Sequence, residues 1–438
     1  GSLSEIGEPL DLVILAVSNA LLEEQMRLAA DTGAGSAVIF ASGYEEPRLD
    51  APPLTERLAS IARDAGMAVC GGNCMGFANL ERRVRALGFY EPKDVRVGGV
   101  TFISHSGSAF SAVLHNDRGL GLNLAVSAGQ EFVTTVADYL IYALGLESTR
   151  VIGLFIETIR DPAGFRSALE LAVSRDVPIV ALKVGRETFT RELVAAHSGA
   201  LAGEDGAYEA LFEAYGVSRV DSLDEMADTL ALFAAGRRAG PGGLASVHDS
   251  GGERALIVDS AAAVEVPFAQ ISSATTERLE ALLDPGLPAV NPLDFWGTGR
   301  DAHQIVTGCV RALLEDEDTA ALAFAVDLTT EDTPDMGYIA MGKATFGETN
   351  KPYAMLSNFS SGIDRSDAKL LEEAGIPVLE GTLTGLAAFK HLFAHRDHRA
   401  LPPAGGPSPV TEEVRERWAA RLSSGEELDE LDGLELLA

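Results

Sequence analysis

The chain has 438 residues, 46% hydrophobic and 23% charged, an ordinary globular balance over a length that exceeds one core, so two or three α/β-sized domains are expected. Its 34 Lys and Arg against 65 Asp and Glu leave a formal charge of −31, which repels a phosphate backbone and argues against nucleic acid as a partner. Three cysteines without CxxC spacing argue against a disulfide scaffold or structural zinc, and neither a bilayer-length apolar run nor a secretory signal is present, so no metal site, no membrane contact and a cytoplasmic location are expected.

From Asp11 onward, short apolar runs alternate with helical stretches. LVILAV (12–17), SAVIFA (36–41) and MAVC (67–70) come first, and GVTFIS (99–104) opens a second block after the charged turn EPKDVR. VIGLFIE (151–157) and PIVALK (178–183) follow, and the block closes on the helix SLDEMADTLALFAAG. A third block starts at PGGLASV and ends in GTLTGLAAFKHLFAHR. Continuous apolar runs joined by amphipathic segments predict buried parallel strands with crossover helices, a doubly wound α/β fold. ALPPAGGPSPV (400–410) reads as a linker, and the helical segment after it is too short to fold alone. Because Asp11 opens directly on a strand and the chain stops as a new domain begins, further sequence is expected at both ends.

In open parallel sheets, ligands collect at the carboxyl ends of strands, where helix N-termini present N–H donors and positive dipole ends. Three loops fit. In TFISHSGSAFSAVL, Ser106, Gly107 and Ser108 open a helix and serve either as a plain N-cap or as an anion cradle. Asp205 can cap a helix whose Tyr208, Leu211, Phe212 and Tyr215 form one stripe. HDSGGERALIVDSA gives Ser250-Gly251-Gly252, a weaker signal. Neither a P-loop nor a strand-to-helix GxGxxG fingerprint occurs.

His105 and His197 share the triplet His-Ser-Gly. His105 sits between a strand and its helix, where packing would fix the ring. His197 lies among Ala195, Ala196, Gly199, Ala200, Ala202 and Gly203, which leave it free to move. A mobile histidine of near-neutral pKa is a competent phosphoryl carrier, and the bland alternative is a surface histidine in a small-residue turn. Such a carrier needs a partner on its second ring nitrogen, and Glu157, ending an apolar strand, is the candidate, the bland alternative being a carboxylate that leaves the strand into solvent or caps the turn at Arg160.

Five motifs in this order resemble those of the nucleoside-diphosphate-forming acyl-CoA synthetases, the superfamily of ADP-forming acetyl-CoA synthetase and the succinyl-CoA synthetase α subunit. GGNCMGF (71–77) resembles their Gly-Pro-Asn-Cys-X-Gly motif, ISHSGSAF (103–110) their phosphate helix, and FIETI (155–159) their Glu-bearing strand. AAHSGALAG (195–203) resembles the phosphohistidine loop and NPLDFWG (291–297) the Asn-Pro-(Leu/Val)-Asp motif.

The resemblance implies an N-terminally incomplete Rossmann-like CoA-binding domain over 1–92, a flavodoxin-like domain with the phosphohistidine loop over 93–238, a second flavodoxin-like domain over 239–399, and a linker with the start of an ATP-grasp module over 400–438. It implies that His197 carries phosphate and Glu157 steadies it, with Ser106, Gly107, Ser108, Ser198 and Gly199 around the phosphoryl group. Ser42, Gly43, Asn73 and Cys74 would touch CoA. The implied reaction joins a small carboxylic acid to CoA at the expense of ATP, giving ADP and phosphate. Mg²⁺ and the nucleotide would be held by an ATP-grasp domain or subunit, in a homo-oligomer or heterotetramer. A catalytically silent CoA- or acyl-CoA-binding regulator of the same fold is the alternative. Phe295 and Trp296 either shape an acyl pocket or simply pack.

Overall fold

The computed structural model describes residues 3–8, 10–187, 205–329, 337–402 and 411–423. Residues 1–399 form one compact unit, built on three sheets. The first sheet has three parallel strands, β1 (Val13–Leu15), β2 (Ser36–Ile39) and β3 (Ala68–Gly71), in that spatial order. Helices α1 (Asn19–Asp31) and α2 (Leu54–Ala65) join them. Leu22, Met26 and Ala29 form the buried stripe of α1, and Leu58, Ile61 and Ala62 that of α2, at the three- and four-residue spacing that puts side chains on one face. Gly66, in the left-handed region, ends α2.

The second sheet has seven strands. A hairpin of β4 (Gly76–Asn79) and β5 (Val84–Leu87) precedes β6 (Val97–Ser104), α3 (Gly107–Leu114), β7 (Leu122–Ser127), α4 (Val136–Leu144), β8 (Val151–Ile156), α5 (Pro162–Ser174) and β9 (Ile179–Lys183). Next come α6 (Asp205–Ala214), β10 (Ser218–Arg219) and α7 (Leu223–Ala234). The order β10-β9-β8-β6-β7 is parallel, and β4 pairs antiparallel with β7 at the edge. Neither the hairpin nor β7 is foreseen by the sequence reading. The hairpin is short and broken by Gly76 and Arg83, both at positive φ, and β7 runs LNLAVS with a buried Asn123 inside it. The hairpin falls within residues 1–92, yet its pairing partner is the second sheet.

The third sheet repeats the plan: β11 (Gly243–His248), α8 (Gly251–Val264), α9 (Ser273–Leu282), β12 (Leu293–Asp294), α10 (Ala302–Glu315), β13 (Thr319–Ala325), α11 (Tyr338–Phe346), β14 (Tyr353–Ser357), α12 (Arg365–Glu373), β15 (Val378–Glu380) and α13 (Thr382–Ala400). Its order β12-β11-β13-β14-β15 is parallel throughout, the flavodoxin-like arrangement also present in β7-β6-β8-β9-β10. Leu230 and Phe233 of α7 share one continuous core with Leu356, Leu379 and Phe389, which ties the second sheet to the third. Arg118 bridges the same boundary, pairing with Asp228 at 3.0 Å and Glu380 at 3.2 Å.

Main-chain contacts join the first sheet to the second. Past β7, Gln130 N–H donates to Gly72 O and Phe132 N–H to Gly71 O, both at 2.8 Å, and Asn73 N–H donates to Ala41 O at 2.9 Å. A Cβ on Gly129 would stand 2.2 Å from Gly72 O, and one on Gly72 would stand 2.6 Å from the Phe132 ring. These contacts fit only without side chains. The second unit, residues 400–438, contains α14 (Glu412–Ser423), where Arg417 and Arg421 lie over the Trp418 ring at 5.5 and 5.9 Å. No described helix is long and apolar enough to cross a membrane.

Replacing Gly129, at φ 61°, by Ala should therefore open the junction. The expected cost is about 2–4 kcal/mol of unfolding free energy, read from the urea midpoint, and an unchanged midpoint would contradict this account.

Candidate functional site

In a sheet ordered this way, the connections leaving β6 and β8 run to opposite faces, so a crevice opens between the carboxyl ends of those two neighbours. Both candidates from the second block stand there. Ser106 caps α3 by accepting from Ala109 N–H at 3.2 Å, a bond that leaves its O–H as a donor, while Ser108 is exposed on the first turn. A Cβ on Gly107 would meet Met75 Cγ at 2.7 Å. Glu157 is buried one residue past β8, and its N–H donates to His105 Nδ1 at 3.0 Å. His105 is fixed, as its position between strand and helix predicts. Its Nε2 lies 3.1 Å from Glu131 Oε1, and the two side chains are 5% and 0% exposed.

The second group lies at the carboxyl ends of the first sheet. Ser42 and Gly43 follow β2 and are held by Asn19, whose Nδ2 donates to Ser42 Oγ at 3.2 Å and whose Oδ1 accepts from Gly43 N–H at 2.9 Å. They line a cleft of about 700 Å³ with Arg48, Gln130, Phe132 and Arg160. Arg63 also lines it and has no ion pair among the described residues. Gly43 has φ 68°, and a Cβ there would meet Phe132 Cζ at 2.8 Å, so the ring lies directly beneath this turn.

Asn73, at φ 50°, is anchored through its N–H to Ala41 O. Cys74 is buried, and its Sγ donates to Ile39 O at 3.3 Å. Its hydrogen bond to Cys70 and its burial push the thiol far above the ordinary cysteine range, so it is protonated at neutral pH. Glu131 lines the cleft and also bonds His105, so one residue connects the two groups.

His197, Ser198 and Gly199 lie outside the described residues, within 188–204. Both flanks of that stretch are described. On the far side Asp205 is the first residue of α6, where the sequence suggests a cap, and its carboxylate accepts from Arg219 at 2.6 Å instead. Tyr208 and Phe212 are buried as their spacing requires. On the near side stands Lys183, which the sequence reading passes over although PIVALK ends in a charge just as VIGLFIE does. Lys183 is 1% exposed, donates to Val184 O, and lies 4.5 Å over the Tyr208 ring. Burial brings its pKa down to about 8.

The carboxyl edge of the third sheet has a different character. Ser250 caps α8 by accepting from Glu253 N–H at 3.4 Å. Asp249 accepts from the Tyr338 hydroxyl at 2.6 Å, and burial raises its pKa. Burial, with the charges of Asp327 and Asp249, lifts Glu253 to about 6. His248 is wholly buried against Ser246 Oγ and held down at about 3 by desolvation. Asn291, of the Asn-Pro-Leu-Asp motif, is a structural clamp: its side chain accepts from Ser246 N–H and donates to Leu244 O and Ala269 O. Phe295 packs edge-on against Phe324 and Tyr338 in the core, while Trp296 is half exposed. No cluster of three or more metal-ligating side chains exists among the described residues.

The succinyl-CoA-ligase-like flavodoxin domain profile matches residues 97–233, which hold β6 to α7. The chain is 32% identical over 321 residues to a trans-feruloyl-CoA synthase of a prokaryote of unknown species, covering 72% of this chain and 45% of that protein. It is 29% identical to an ADP-forming acetate-CoA ligase of Methanocaldococcus jannaschii, over 68% of this chain and 42% of that protein. A third relative, the α subunit of ADP-forming acetate-CoA ligase II of Pyrococcus furiosus, is 28% identical over 86% of this chain and 82% of its own length. The chain thus spans less than half of the first two relatives. In fold it is similar to acetyl-coenzyme A synthetase 1 of Ca. Korarchaeum cryptofilum, solved with phosphate and ADP, at a TM-score of 0.79 and 22% identity over 91% of this chain and 85% of that one.

The lowered pKa of Lys183 yields a test of this site's electrostatics. Between about 8 and the ordinary value of 10.5 the unfolded chain binds the proton that the folded chain has released, so stability rises with pH across that window. Wild type should gain on Lys183→Met as pH is raised from 8 to 10.5, measured by urea unfolding. A difference that stays flat, or moves the other way, would contradict the burial-driven shift.

Proposed function

The chain is a homologue of the ADP-forming acyl-CoA synthetases, and on that premise we propose that it is the CoA-binding and phosphohistidine part of an acid-CoA ligase working with an ATP-grasp module. The observation that carries this reading is the meeting of a buried carboxylate, Glu157, and the capped N-terminus of α3 at one crevice. Through Glu131, that crevice adjoins the cleft lined by Ser42 and Gly43. Burying a carboxylate is costly unless it is paired or hydrogen-bonded, which holds Glu157 in a defined place, and helix N-termini stabilise phosphate.

In this reading the ATP γ-phosphoryl group moves to a ring nitrogen of His197 and ADP leaves. The phosphoryl group then passes to the acid's carboxylate, regenerating His197. Finally the CoA sulfur attacks the acyl phosphate carbonyl, the carbon-oxygen bond breaks, and the thiol proton leaves with phosphate. Glu157 holds the second ring nitrogen of His197, and α3 offers N–H donors at Gly107 and Ser108, aided by Ser198 and Gly199 from the loop itself. Lys183, buried beneath the flanks of that loop, supplies positive charge. Ser42, Gly43, Asn73 and the cleft arginines hold CoA. Cys74, as a buried neutral thiol, contributes packing rather than nucleophilicity. Mg²⁺ accompanies the nucleotide on the ATP-grasp module, which comes from further sequence or a partner subunit, and the supply of ATP and CoA puts the reaction in the cytoplasm. A catalytically silent regulator is not favoured, because the named relatives are ligases or synthases, or a subunit of one.

Two experiments test this. In the chain combined with its ATP-grasp module, His197→Asn should lower acyl-CoA synthesis by about 10³-fold or more with CoA affinity unchanged, and normal synthesis would overturn the assignment. A panel of acetate, 4-hydroxybutyrate and ferulate with CoA and ATP should single out one acid class by kcat/KM. A protein that turned over none of them, yet bound CoA, would favour the silent regulator.

A further inference from the structure

The ladder between β6 and β8 runs to the pair Ser104 and Phe155, and His105 N–H still donates to Phe155 O at 2.9 Å. In a regular parallel ladder the next bond would run from Glu157 N–H to the carbonyl of His105. The chain instead bends at Ser106 into α3, and Glu157 N–H donates to the His105 side chain, Nδ1, at 3.0 Å. The imidazole thus replaces a main-chain carbonyl and extends the ladder by one bond beyond the strand.

That bond fixes the proton on the ring. Nδ1 must be bare to accept from an amide, so the proton sits on Nε2, where Glu131 Oε1 accepts it at 3.1 Å. A proton on Nδ1, in the other tautomer or in the imidazolium, would face the N–H of Glu157 donor to donor. Glu131 is itself held firmly. It has φ 52°, and its neighbours Gln130 and Phe132 are bonded to Gly72 and Gly71.

We infer that His105 is a positioning residue for Glu157, locked by Glu131 as the Nε2–H tautomer so that its Nδ1 sets where the Glu157 side chain leaves the strand. The inference rests on the role proposed above for Glu157. It assigns the first His-Ser-Gly triplet a task distinct from that of the second: the ring of His105 holds still so that the carboxylate proposed to serve the carrier histidine is correctly placed. It also couples the two halves of the site, since the chain of bonds runs from the CoA cleft through Glu131 and His105 to Glu157.

Ring ¹⁵N NMR of the unmodified chain reads the tautomer directly. His105 should show a bare Nδ1 and a protonated Nε2, and a protonated Nδ1 would overturn the proposal. Two variants test the consequence: His105→Phe keeps a ring without an acceptor, and His105→Asn restores an acceptor near the place of Nδ1. In His105→Phe the Glu157 amide should exchange faster with solvent. Labelling from γ-³²P-ATP and Mg²⁺, in the chain combined with its ATP-grasp module, should slow by about 10- to 100-fold while CoA affinity is kept. His105→Asn should recover most of both losses. Undiminished labelling in His105→Phe, or no recovery in His105→Asn, would sink the inference while leaving the function standing. Absence of label in wild type would remove the proposed role of Glu157 and the inference with it, even with the tautomer as described.

Discussion

The site depends on a junction made of main chain. Gly72 and Gly129 let the loop after β7 lie directly on the turn after β3, close enough for Gln130 and Phe132 to donate to the carbonyls of Gly72 and Gly71. A side chain on Gly72 or Gly129 would force these loops apart, and the two sheets would then present their carboxyl ends to separate patches of solvent. With the loops together, Phe132 lies beneath the Ser42–Gly43 turn while the adjacent Glu131 turns inward to His105. A contact between backbones therefore determines that the Ser42–Gly43 cleft and the crevice between β6 and β8 are neighbours.

Charge is distributed in keeping with that geometry. A chain of formal charge −31 has every reason to repel anions, so a phosphate must be met by local donors and cations. The crevice between β6 and β8 offers the first turn of α3, Lys183 lies buried at the end of β9 over the Tyr208 ring, and the cleft offers Arg48, Arg63 and Arg160 among the carboxylates of Glu45, Glu46, Glu56 and Glu131. The third sheet, built on the same strand order, gathers Asp249, Glu253 and Asp327 at the corresponding edge. Repeating the topology did not repeat the electrostatics. The fold provides the crevice, and the residues at each strand end decide what it can hold.

Much of the architecture could be read from the apolar runs, because strands buried on both faces lose the alternation of exposed sheets and stand out as continuous blocks. What escaped has physical causes. The 76–87 hairpin lies at a sheet edge, where burial is partial and Gly76 and Arg83 adopt left-handed backbone, so no periodic signal forms. In β7, Asn123 interrupts the run because it hydrogen-bonds within the core, to Thr101, Ser148 and Thr149. Missing β7 concealed the loop after it, and with it Gln130, Glu131 and Phe132. The motif residues were easier to find than to interpret: Asn291 is a clamp on β11, Phe295 is core, and Ser106 caps α3. His105 was separable from His197 by position alone, since a residue between a strand and its helix has no room to travel.

The central claim is that phosphate travels on His197 between the nucleotide and the acyl group. The most direct measurement is to incubate the chain and its ATP-grasp module with ATP and Mg²⁺, quench in alkali, and locate the phosphate by mass spectrometry of the proteolysed protein. The account predicts a base-stable, acid-labile phosphate on His197 with ADP as the released nucleotide. Phosphate on Ser106 or Ser108, or formation of AMP in place of ADP, would contradict it.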